Sequence, residues 1–120
     1  MQMLIDLGTN GEMALGNEEA LLVTSTAAGP AFEGGNITWG TGNIPGAVCH
    51  AKVQGETLEI HTIQEEPPVG ICGTGVIELV SELVKAEEID ETGRLEDPWF
   101  EDGYPIAKNV RGEQIVLTQK

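Results

Sequence analysis

Residues 69–85 constrain this chain more than any other stretch. Val69-Gly70-Ile71-Cys72-Gly73-Thr74-Gly75 is a short apolar run broken by three glycines, and Val76, Leu79, Val80, Leu83 and Val84 follow at i, i+3, i+4, i+7 and i+8. This spacing predicts an amphipathic helix over 75–85 with Thr74 as its N-cap. Burying that stripe contributes about 1.5–3 kcal/mol per side chain before entropy is subtracted, so packing holds the helix. Glu78, Glu82 and Lys85 are expected to face water, with the two glutamates a small like-charge penalty. A glycine-rich helix entry leaves free amides and a partial positive charge, worth about 0.3–1 kcal/mol to a nearby anion. The same bend also serves a plain helix packed closely on a sheet.

The first 24 residues read as an antiparallel meander. Met3-Leu4-Ile5 runs into Asp6, and Gly8-Thr9-Asn10-Gly11 supplies turn chemistry, Asn-Gly being a strong hairpin signal. Glu12-Met13-Ala14-Leu15 returns, Gly16-Asn17 turns again, and residues 20–24 form the third strand. A carboxylate at a strand end, followed by glycines and a hydroxyl, suits a phosphate-facing turn in which Asp6 holds hydrated Mg²⁺. A simple hairpin with an exposed Asp6 fits the same residues. In residues 25–35, Pro30 is placed to start a helical turn and Glu33 to orient a water or metal, or the stretch is a connecting loop. Residues 36–45 read as loop, 47–53 and 57–63 as two strands, 90–112 as loop, and 113–118 as a last strand.

Composition narrows the function. Twenty acidic residues against six basic ones leave a net charge of −14, which excludes nucleic acid and anionic membranes as partners. A nucleotide would need a metal cation and backbone dipoles to offset that field. Cys49 and Cys72 are too few for a disulfide framework, zinc site or cluster, so both read as reduced thiols, Cys72 as a small packing residue. His50 and His61 lack ligand partners at metal spacing and read as ordinary surface or core residues, and the acidic stretch 87–102 reads as a solvated face. With no secretory signal and no apolar run of membrane-spanning length, the expected location is the cytoplasm.

The order of three segments is more specific than any one of them. Leu4-Ile5-Asp6-Leu7-Gly8-Thr9-Asn10-Gly11-Glu12, then Ser25-Thr26-Ala27-Ala28-Gly29-Pro30-Ala31-Phe32-Glu33-Gly34, then Gly70-Ile71-Cys72-Gly73-Thr74-Gly75, resembles the C-terminal ATPase domain of the reductive activators of corrinoid proteins. That domain belongs to the acetate and sugar kinase/Hsp70/actin (ASKHA) superfamily, in proteins that also carry an N-terminal [2Fe–2S] ferredoxin domain. The resemblance covers nearly the whole chain. It implies an α/β, RNase H-like (actin/hexokinase-type ATPase) lobe: a mixed sheet, an N-terminal antiparallel meander and one main amphipathic helix.

It also implies that residues 1–120 are one lobe of a two-lobed domain, with the cluster domain and the other lobe elsewhere. Residues 6–12 match the second phosphate motif and residues 70–75 the adenosine motif. Asp6 and Glu33 become the catalytic candidates, Asp6 also holding Mg²⁺ through water. Gly8, Thr9, Asn10, Gly11, Gly29, Gly73, Thr74 and Gly75 become the ATP-binding candidates. The implied partners are a corrinoid protein, whose Co(II) is reduced to Co(I), and the remaining lobe. The competing reading is a non-catalytic acidic module that docks either of these partners. Thr38-Trp39-Gly40-Thr41-Gly42-Asn43 departs from the family, standing where a Gly-Met-Arg run is expected.

Overall fold

The computed structural model describes residues 1–8, 10–27 and 35–119. Three strands, β1 (Gln2–Leu7), β2 (Asn10–Gly16) and β3 (Leu21–Ala27), form an antiparallel sheet in the order β1-β2-β3. The meander is as expected, but its strands are longer. Leu7 pairs with Gly11 and Asp6 with Glu12, so Asn10 and Gly11 belong to the sheet instead of a free turn.

The register sorts the side chains onto two faces. Met3, Leu15 and Leu22 form one cross-strand row, with Ile5, Met13 and Thr24 beside it. Leu4, Ala14 and Val23 form a row on the opposite face, next to Asp6, Glu12 and Ser25. Leu4, Met3, Leu22 and Val23 are 70%, 60%, 70% and 72% exposed. Apolar rows on both faces are the pattern of a sheet covered on both sides.

The rest of the chain builds the core. Strands β4 (Ala47–Gln54) and β5 (Thr57–Thr62) form a hairpin, and β6 (Gly70–Ile71) adds in parallel to the other edge of β4, giving a mixed sheet β5-β4-β6. Helix α1 (Gly73–Lys85) follows β6 directly. A short helix α2 (Trp99–Asp102) leads to the hairpin β7 (Tyr104–Lys108) and β8 (Gln114–Leu117). Val48, Ile71, Leu79, Leu83, Ile89, Leu95, Ile106, Ile115 and Leu117 make one buried cluster.

Four expectations need correction. Helix α1 begins two residues early, at Gly73, and its N-cap residue is Cys72, so Thr74 lies inside the helix. Of the apolar stripe, Leu79 and Leu83 are fully buried while Val80 and Val84 stay exposed, because the core reaches only one flank of the helix. Residues 90–112 are not loop throughout. Ile89 bridges Leu95, and β7 follows; the acidic, proline-bearing composition hid these isolated apolar anchors. Nor are residues 36–45 plain loop: Thr41 N–H donates to Ile71 O (2.9 Å), and Ile71 N–H to Trp39 O (2.8 Å).

The radius of gyration is 18.0 Å and the longest dimension 60 Å. A packed domain of this length would have a radius near roughly 13.6 Å. The excess matches a meander whose strands contact mainly one another.

Candidate functional site

Two groups of candidates sit on separate modules. On the meander, Asp6 is exposed at the end of β1 and faces Glu12 across the register, with Ser25 as the third member of the row. Ser25 Oγ donates to Glu12 Oε1 (3.3 Å). An open concavity of about 490 Å³ on this face is lined by Asp6, Glu12, Ser25, Leu4, Met13 and Val23, among others. Gly8 N–H is committed to Asn10 O (2.9 Å), so in this conformation Gly8 contributes space more than a free donor. Among the described residues, a Cβ added there would meet Asn10 O, at 3.7 Å. Thr9, Gly29, Pro30 and Glu33 lie outside the described residues.

On the other module, Gly70 and Ile71 form β6 and hand the chain to α1 at Cys72. The first helical hydrogen bond runs from Val76 N–H to Cys72 O (3.0 Å), leaving the amides of Gly73, Thr74 and Gly75 outside the helical ladder. Gly73 is half-buried, Thr74 exposed and Gly75 buried. Gly75 has a packing reason to be glycine, since a Cβ would lie 2.0 Å from Val48 O. Cys72 is buried and its Sγ donates to Val48 O (3.3 Å), so it acts as a packing residue, as expected. The departing segment runs beside this bend, Gly40 bridging Ile71 in parallel. Its place next to β6 was not legible in its sequence.

The glutamates of α1 turn toward β4 while staying partly exposed. Glu78 Oε2 accepts from Ala51 N–H (3.0 Å), and its Oε1 lies 2.8 Å from His50 Nδ1. Glu82 Oε2 accepts from Val53 N–H (3.1 Å), and its Oε1 from Lys85 Nζ (2.7 Å). The backbone amide of Ala51, then His50, holds the Glu78 carboxyl below its ordinary value. Lys85, then the Val53 amide, does the same for Glu82. Their i, i+4 spacing puts both on one face of the helix, but that this face meets the open edge of β4 was not legible in the sequence. Among the described residues no group of three or more His, Cys, Asp or Glu side chains is arranged to hold a metal ion. No helix among them is long and apolar enough to cross a membrane.

A meander, a mixed sheet and one long helix entered through a glycine bend define an α/β domain of the ASKHA type. Residues 1–120 match the family described as the C-terminal domain of RACo, the ASKHA domain, and the chain belongs to that family. It is 30% identical over 139 aligned residues to the "corrinoid activation enzyme RamQ" of Eubacterium limosum, covering 100% of this chain and 23% of that protein. It is 31% identical over 140 residues to the "[Co(II) methylated amine-specific corrinoid protein] reductase" of Methanosarcina barkeri, covering 98% of this chain and 24% of that one. A solved "reductive activator for corrinoid, iron-sulfur protein" superposes with a TM-score of 0.77 at 34% identity, over 97% of this chain and 21% of that chain. The chain thus spans about a quarter of the curated relatives it matches.

Proposed function

We propose that this chain is the nucleotide-binding lobe of a protein that couples ATP to the reductive activation of a corrinoid protein. The observation that carries the reading is the family match over residues 1–120, with both glycine bends falling where strands end: β1 into β2, and β6 into α1. In that reading the corrinoid partner's Co(II) would take up one electron to become Co(I), and a reduced [2Fe–2S] cluster would be its donor. The cluster is expected in a part of the full-length relatives that this chain does not span. ATP binding would supply the free energy for that uphill transfer.

The residues present fit the group. Asp6, exposed beside Glu12, is the carboxylate that would hold hydrated Mg²⁺. The amides of Gly73, Thr74 and Gly75 would face the adenosine end, where a helix start favours an anion or polar edge. Gly8, Thr9, Asn10, Gly11, Gly29 and Glu33 complete the proposed set. The cleft lies between this lobe and a second one, which covers the apolar meander faces; the protein works in the cytoplasm. Until both lobes enclose the nucleotide, water is not excluded and an attacking water is not fixed, so this lobe alone should not turn ATP over.

The test is an NMR titration of the chain with Mg–ATP. Shifts confined to residues 6–12 and 70–76, lost in Asp6→Ala, support the reading. No change at millimolar ligand would leave the acidic module as the better account, favoured by the exposed Glu87, Glu91, Glu101 and Asp102. ATP hydrolysis by this chain well above the Asp6→Ala control would contradict the need for a second lobe.

A further inference from the structure

Helix α1 runs alongside β4 and meets it at three points in step. Gly75 lies against the Val48 carbonyl, Glu78 bonds Ala51 N–H, and Glu82 bonds Val53 N–H. Strand β6 ends at Ile71, opposite Val48, so it does not reach the edge of β4 at Ala51 and Val53. There the two carboxylates stand in for the carbonyls of a neighbouring strand. We propose that Glu78 and Glu82 are positioning residues, a two-point clamp that fixes where along β4 the amides of Gly73, Thr74 and Gly75 stand. The proposal rests on the nucleotide-binding reading of those amides.

The physical case is directional. Leu79 and Leu83 hold α1 against the core by burial, which is strong but non-directional. The helix start is tied to β4 at one point, where Cys72 N–H and Sγ meet Val48 O. Beyond that point apolar packing alone tolerates a shift along the helix axis, one residue being about 1.5 Å. Charge-assisted hydrogen bonds are short and oriented, so two of them, one turn apart, set the axial position. Glu78 is itself steadied by His50 Nδ1, and Glu82 by Lys85. Lys52 on β4 also acts on Glu82, while on β5 His61 Nε2 pairs with Glu59 (3.3 Å). Both glutamates are held below their ordinary value. Their contribution is therefore present above the ordinary carboxylate range and is lost as pH falls through the lowered values.

The experiment compares the whole chain with Glu78→Ala/Glu82→Ala and Glu78→Gln/Glu82→Gln. It reads amide exchange at Ala51 and Val53 and the resonances of Gly73, Thr74 and Gly75, with and without Mg–ATP. The alanine pair should speed exchange at Ala51 and Val53 about tenfold or more. It should also move the three bend resonances and weaken Mg–ATP binding, with the single variants showing part of each effect if the double variant unfolds. The glutamine pair keeps an acceptor and should restore most of the wild-type behaviour, while the loss of protection at Ala51 and Val53 on acidification, taken relative to intrinsic exchange, should disappear. Unchanged exchange at Ala51 and Val53, or bend resonances that stay put once the clamp is gone, would overturn the proposal. If wild-type chain does not bind Mg–ATP, the nucleotide reading fails, and the exchange and resonance data without ligand still judge the clamp.

Discussion

Replacing Gly75 with alanine separates two accounts of the glycine bend, because helix propensity and packing predict opposite signs. Alanine is favoured over glycine inside a helix by about 1 kcal/mol, so propensity alone predicts a more stable protein. The structure puts the new methyl 2.0 Å from Val48 O and 2.9 Å from Val48 C, where ordinary contact begins at 3.4 Å. The carbonyl cannot retreat freely, since Val48 O already accepts from Cys72 N–H (3.1 Å) and Cys72 Sγ. Relief requires the first turn of α1 to move off β4, and such overpacking costs about 1–3 kcal/mol, here at the upper end. Subtracting the propensity gain leaves a net loss of about 2 kcal/mol, or roughly 8 °C in Tm.

Denaturant unfolding by circular dichroism measures this directly, with Gly42→Ala as the control, since no described residue lies within 4 Å of a Cβ at that position. A Gly75→Ala protein as stable as wild type, or more stable, would refute the packing argument. Gly75 would then be glycine for its ligand and not for its neighbour strand.

Three further outcomes follow from the same structure. Leu79→Ala empties a fully buried site and should cost about 2–5 kcal/mol in denaturant unfolding, whereas Val80→Ala on the exposed flank should cost under about 1 kcal/mol. Tyr104 is the single tyrosine; burial, then the Glu88 charge, raises its pKa above the ordinary 10.0, so tyrosinate absorbance should appear at higher pH in folded than in denatured protein. Asp90 Oδ1 accepts from Thr92 N–H, Thr92 Oγ1 and Arg94 N–H, and the Thr92 hydroxyl, then the Arg94 amide, lowers its pKa below 3.8. Its contribution is present above that ordinary value and lost as pH falls through the lowered one, so Asp90→Ala should flatten the acid limb of a stability-versus-pH curve.

Much of the fold was legible because its signals are local. The i, i+3, i+4 stripe from Val76 to Val84 announces α1, and Asn10-Gly11 between apolar runs announces the β1–β2 hairpin. What was not legible depends on long-range pairing. Gly70 and Ile71 carry no strand pattern of their own; they are a strand because β4 and the 39–41 segment lie on either side. Ile89, Leu95 and Ile106 are single apolar residues among acids and turns, which periodicity cannot collect into a core. At the candidate site, residue types pointed to Asp6 and to the 73–75 bend. They could not show that Gly8 N–H closes on Asn10, nor that Glu78 and Glu82 turn inward, since both facts depend on which backbone groups lack a partner.

The two modules differ in how far their apolar surface is satisfied, and the difference bears on function. Around β4, α1 and β8 the apolar residues converge on one cluster, and the open edge of β4 is met by side-chain acceptors. Among the described residues, sheet β1-β2-β3 meets no such cover: Leu4 and Val23 on one face, and Met3 and Leu22 on the other, remain largely exposed. A three-stranded sheet with both faces wet is marginal by itself. On α1, Ile77 and Val84 are each about half exposed as well. In the proposed assembly a second lobe would cover these surfaces and bring Asp6 and the start of α1 to one nucleotide. Its affinity for this lobe would then rest on apolar burial, and the acidic surface outside the contact would act on partners at longer range. Salt should therefore weaken docking of a basic partner while leaving the pairing of the lobes nearly untouched.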